Sequence, residues 1–173
     1  MSKKRLFIVV IVILIIILIT VTFSLTFFQL TQPKELTMME FGFNGALGGP
    51  RLELRKGETF KLTLLNKGAL MHEFMIIKDK DSYSLKVKDL VEKSKDEEEA
   101  EKALEELMET QTLRVIKVGD KILGEVELKP NEGLNLELRI DSPGKYYYVC
   151  SSFSGTFPKT HLEMGMFGEI VVR

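Results

Sequence analysis

Hydrophobic and polar positions fall into three regimes along the chain. The first is an uncharged apolar run from Leu6 to Phe28, behind Lys3, Lys4 and Arg5. From about Leu36 the pattern changes to short alternating stretches. Leu52 and Leu54, then Phe60, Leu62 and Leu64, alternate with polar residues around a Lys56-Gly57 turn, the period of half-buried strands. "HEFMIIKD" is a short apolar strand. Further strands are predicted at Leu113–Val118, Ile122–Leu128 and Leu134–Ile140, punctuated by Gly119-Asp120 and Pro130-Asn131. "KYYYVC" and "GEIVVR" complete seven or eight strands, which predict an antiparallel β-sandwich.

The third regime interrupts the strands. Val87, Leu90 and Val91, then Ala100, Ala103, Leu104, Leu107 and Met108, recur at three-to-four spacing. Two helices follow, at about 84–93 and 96–110, inserted at about 82–111. Ser94 with Glu97 three residues later is the expected capping box of the second.

The apolar run of about 23 residues is long enough for a helix to cross a hydrocarbon core of about 30 Å. It exceeds a signal-peptide core and no small-residue cleavage site follows it, so an uncleaved anchor is expected over residues 1–30. A linker at 31–36 and a folded domain at 37–173 follow. The basic cluster precedes the span, which predicts a single-pass protein of the cell membrane with its C-terminal domain on the extracytoplasmic side.

Lys3, Lys4 and Arg5 are three of 24 basic groups, which leaves 21 against 25 acidic groups beyond the span, net −4. No nucleic-acid partner is expected. The insertion concentrates this charge, with six Lys against twelve Asp and Glu over residues 79–110. The single cysteine excludes an intrachain disulfide, so a thiol outside the cytoplasm needs another reason to be there.

The chemistry gathers near the C-terminus. "YYYVCSSFSGTFPKTHLEMGMFGEIVV" holds Cys150, one of only two histidines (His161), and Met164 and Met166; the other histidine, His72, lies in "NKGALMHEF". Two imidazoles, a thiolate and a weak axial thioether form the donor set of a blue-copper electron-transfer site. Thiolate and thioether favour Cu(I) and imidazole accepts both oxidation states. Met164 competes with Met166 for the axial place.

"N-x5-H-E-F" together with "PGKYYYVC…H-x-x-M-G-M-F-G-E-I-V-V" resembles the cupredoxins, the plastocyanin and azurin superfamily, and most of all their membrane-anchored archaeal sulfocyanin members. The resemblance covers about residues 36–78 and 112–173. It implies an all-β, antiparallel Greek-key sandwich, with His72, Cys150 and His161 as equatorial ligands of one type 1 copper ion and Met166 as the axial one. It also implies an exposed His161 edge as the electron port. The loop around it offers Phe153, Phe157, Pro158 and Leu162, either as an apolar ring for a partner or as packing for the longer loop. Two departures stand out: ten residues separate Cys150 from His161, and Glu73 follows the first histidine. Glu73 is expected to accept hydrogen bonds from the backbone or hydroxyl of Ser151 and so join the two ligand loops.

With both histidines assigned, none remains for a catalytic second copper, and one cysteine cannot bridge a two-copper centre. The expectation is a carrier, not an enzyme. It would pass one electron between redox proteins such as a cytochrome complex and a terminal oxidase, with no small-molecule substrate. An extracytoplasmic copper-delivery or storage protein is the alternative.

Overall fold

The computed structural model describes residues 13–22, 34–45 and 47–173. Two compact units separate at Pro33, Met1–Pro33 and Lys34–Arg173. In the first, residues 13–22 are helical. Most of the expected anchor lies outside the described residues, and among those described no helix is long and apolar enough to cross a membrane.

The second unit is a sandwich of two five-stranded sheets. Its strands are β1 (Lys34–Met38), β2 (Leu52–Leu54), β3 (Phe60–Asn66), β4 (His72–Ile77), β5 (Ile116–Val118), β6 (Lys121–Leu123), β7 (Glu125–Leu128), β8 (Gly133–Leu138), β9 (Gly144–Val149) and β10 (Phe167–Val172). One sheet runs β1-β3-β8-β5-β6 and the other β2-β10-β9-β4-β7.

The expected purely antiparallel arrangement is corrected. β1 lies parallel to β3 and β2 parallel to β10, so both sheets are mixed. Alternation predicts that a residue faces inward; it carries no information on strand direction. Residues 34–36, read from the sequence as the end of a linker, begin β1. The stretch Ile122–Leu128, expected as one strand, breaks at Gly124 and contributes β6 to one sheet and β7 to the other.

Leu62, Leu64, Leu136 and Leu138 from one sheet meet Phe74, Ile76, Tyr148 and Ile170 from the other in the main core. A second core lies on the outer face of the second sheet. There Met75, Ile77 and Val149 pack against Tyr83, Val87, Ala100, Leu104 and Met108 of the two inserted helices, Lys80–Lys93 and Glu97–Gln111. This explains the unbroken apolar run Phe74–Ile77: all six residues of β4 are buried, with Phe74 and Ile76 under one core and Met75 and Ile77 under the other. Burying an aliphatic side chain stabilises by about 1.5–3 kcal/mol, so the helical cover contributes several such increments.

The capping box shifts by two residues. Asp96, not Ser94, caps the second helix, accepting from the Glu99 amide at 3.0 Å. Ser94 ends the first helix instead, its hydroxyl donating to the Leu90 carbonyl.

Candidate metal centre

Strand geometry brings the predicted ligands to one end of the sandwich. His72 opens β4 and Cys150 follows the last residue of β9, which is antiparallel to β4. Cys150 stands opposite Met166, whose carbonyl accepts the Cys150 amide at 3.1 Å as β10 begins. His161 hangs from the same connection, its carbonyl accepting the Met166 amide at 2.9 Å.

The three ligand atoms form a triangle. His72 Nδ1 is 3.1 Å from His161 Nδ1, Cys150 Sγ is 3.3 Å from His161 Nδ1, and Cys150 Sγ is 3.8 Å from His72 Nδ1. A point equidistant from the corners of that triangle lies about 2.0 Å from each, close to a metal–imidazole bond of about 2.0–2.1 Å and a little under a metal–thiolate bond of about 2.3 Å. The three residues are wholly buried and, among the described residues, are the one His/Cys/Asp/Glu group close enough together to share an ion.

The protonation states suit a metal. Burial, then the neighbouring His161, pull His72 down to about 4, and burial also lowers His161, so both imidazoles are neutral at pH 7. The Ser154 carbonyl takes the Nε2 proton of His161 at 3.0 Å, which leaves its Nδ1 lone pair facing the triangle. Burial and then Glu73 raise the Cys150 thiol, opposed by backbone N–H groups of Glu73 and Ser152 directed at the sulfur. The Glu73 contact is 3.3 Å. A thiol that is hard to ionise alone, yet already supplied with donors for its thiolate, is matched to a cation. The site fits one type 1 copper ion.

Met166 is fully buried in the main core beside Cys150, whereas Met164 is partly exposed. Both methionines lie in the connection between His161 and β10.

Two expectations change here. His161 shows no exposed edge: it is 0% accessible, with Phe41 edge-on to its ring at a centroid distance of 5.7 Å. Phe153 and Leu162, expected in a surface ring, are buried in the second core; the ten-residue loop folds inward to place them there. Glu73 meets its expectation in part. The Ser151 backbone N–H acts on its carboxyl, but the Ser151 hydroxyl makes no hydrogen bond to it. Burial, then Glu125 and Glu127, push Glu73 up to about 8, so it stands as a neutral acid at pH 7.

Sequence reasoning missed Phe41, Ser154 and Gly68, and read Asn66 as the start of a motif without giving it a role. Phe41 arrives on the glycine-rich loop after β1, where neither period nor charge marks it. Gly68 lies so close to His72 Nε2 that an added Cβ would come within 2.9 Å.

No protein-family model matches the chain, and no curated protein matches it. Among solved structures it is similar to the dithionite-reduced auracyanin of Roseiflexus castenholzii, with 18% identity and a TM-score of 0.51 over 83% of this chain and 98% of that one. Auracyanin A of Chloroflexus aurantiacus, a "blue" copper protein, follows at 15% identity and a TM-score of 0.48, covering 82% and 100%. A multicopper oxidase from Campylobacter jejuni matches at 17% identity and a TM-score of 0.47, covering 82% of this chain but 30% of that one. Of these three, the first alone passes 0.5, and at its level of identity it shows the fold: a cupredoxin-like sandwich.

Proposed function

We propose that this protein is a membrane-anchored type 1 copper electron-transfer protein of the sulfocyanin kind, carrying one electron between extracytoplasmic redox proteins of a respiratory chain. The observation that carries the reading is the buried triangle of His72 Nδ1, His161 Nδ1 and Cys150 Sγ. Met166 is the fourth ligand. Bound there, copper supplies a single electron that it can take up and return.

The chain's own residues hold the donors so that little has to move. His72 and Cys150 sit at the ends of adjacent strands, the Ser154 carbonyl orients His161, and the Glu73 amide donates to the sulfur. A rigid, dry donor set costs little reorganisation when charge changes by one. Burial of all three ligands also disfavours copper delivery, which needs an exchangeable site.

The anchor rests on the uncharged run Leu6–Phe28 behind a basic cluster, and on helical residues 13–22 whose side chains from Ile13 to Ile19 are 50–64% exposed. Cytochrome complexes and terminal oxidases are the partner class this placement suits.

Loading the full-length protein in detergent with Cu(II) tests the reading by optical and paramagnetic-resonance spectra. An intense visible thiolate-to-copper band with reversible one-electron reduction is expected. A colourless protein that surrenders Cu(I) to a competing chelator would overturn it.

A further inference from the structure

We propose that the electron enters and leaves through the ring of Phe41 rather than through a bare histidine edge. The inference rests on the copper-carrier reading above and concerns which surface of it faces a redox partner.

Electronic coupling falls steeply with every through-space gap, so the shortest contact path from the ligand triangle to solvent dominates. His72, Cys150, His161 and Met166 are each 0% exposed. The far nitrogen of His72 has no hydrogen-bond partner and faces the buried backbone of Gly68. That exit is closed by main chain. The far nitrogen of His161 donates to the Ser154 carbonyl at 3.0 Å, a main-chain path into the long loop that competes with the ring of Phe41 and is read by the Lys159 variant below. The imidazole of His161 also meets the edge-on ring of Phe41, at 5.7 Å between centroids.

Phe41 is partly exposed and lines a surface groove with Met39, Glu40, Asn44 and Lys67. One aromatic ring therefore spans from a ligand to solvent. The loop carrying it is pinned to the metal end at two points: the Glu40 carboxylate accepts the Ala69 amide at 2.9 Å, and the Gly48 amide donates to the Gly165 carbonyl at 2.9 Å. Within the loop, the Phe43 amide donates to the Gly48 carbonyl at 2.6 Å. A port held this firmly presents the same contact at each encounter.

The step is a one-electron exchange. The site is oxidised as a partner haem or copper protein is reduced, or the reverse, with no bond made and no proton moved. The partner surface that fits is a flat apolar patch around its own cofactor edge, seated on Phe41 and Met39.

The test places charge at the port. Phe41→Lys and Phe41→Glu are made in the full-length, copper-loaded protein in a non-ionic detergent. Oxidation rates are then followed at low ionic strength with hexacyanoferrate(III), an anion, and a cationic cobalt(III) phenanthroline complex. At Phe41 the expected changes are several-fold and opposite: Lys speeds the anion and slows the cation, Glu does the reverse, and salt erases both. Lys159→Glu, on the loop that carries Ser154, should change neither rate by more than twofold. Rates blind to charge at Phe41, or steered by Lys159 instead, overturn the port.

A second readout needs no copper. Carbethoxylation of His161 in the metal-free protein should rise at least fivefold in Phe41→Ala, and an unchanged rate contradicts the ring's covering role. Absence of the visible band in the wild type would instead sink the copper reading itself, and the port with it.

Discussion

The Asn66 side chain donates to the Leu128 carbonyl at 2.8 Å, joining the end of β3 to the end of β7 across 62 residues. The same amide group donates to the Leu70 carbonyl at 2.8 Å, and its oxygen accepts the Gly68 amide at 2.9 Å. One buried amide thus shapes the turn that delivers His72. Each such bond is worth about 0.5–1.5 kcal/mol net, and an orphaned buried group costs more. Asn66→Ala should destabilise by about 2–4 kcal/mol in denaturant melts and weaken copper binding more than tenfold in competition with a chelator.

Met166 is buried and Met164 is partly exposed, and the proposed axial role falls to Met166. Met166→Leu should keep the visible band yet shift the reduction potential, because loss of a weak axial donor changes the balance between the two copper oxidation states. Met164→Leu should leave both unchanged. Spectroelectrochemistry of the two variants decides between them, and the opposite pattern would move the axial role to Met164.

Tyr148 lies between two glycines. Its hydroxyl donates to the Pro50 carbonyl at 2.5 Å, and an added Cβ on Gly168 would come within 2.1 Å of its ring. Gly168→Ala therefore forces β9 and β10 apart beside the Cys150 end of the sheet. A loss of about 3 kcal/mol is expected in unfolding experiments, toward the upper end for overpacking. Gly168→Ala combined with Tyr148→Leu should recover part of it.

Glu125 has a raised pKa, chiefly through burial, then through Glu127, Glu105 and Glu109. A carboxyl raised on folding binds its proton more tightly in the folded state. Its stabilising contribution is therefore complete in acid and is lost as pH rises from about 4.5 through the higher folded value. Glu125→Gln should raise the melting temperature of the copper-free protein at pH 8 and change it little at pH 4. A difference that is constant with pH would show that the effect is packing, not charge.

Much of the candidate site was legible from donor types alone. Sulfur and imidazole are scarce in this chain, so Cys150, His161 and Met166 in one segment were visible, and His72 was the one imidazole left to join them. Whether it could do so was not. A separation of 78 residues closes to 3.8 Å because β4 and β9 are antiparallel neighbours, a pairing made by backbone hydrogen bonds that side-chain pattern does not record. Strand positions were also readable, since alternation reports burial on one face. Their directions were not, and β1 and β2 proved parallel to their partners.

Local chemistry in the chain determined the candidate donors, the strand-rich build, the two inserted helices and the uncharged N-terminal run, because donor type, period and charge are properties of neighbouring residues. Tertiary structure alone decided that the helices roof β4, that the ten-residue loop after Cys150 turns inward, and that Phe41 covers His161. Those outcomes depend on which distant surfaces meet, and contact between segments far apart in sequence is set by packing of the whole sandwich.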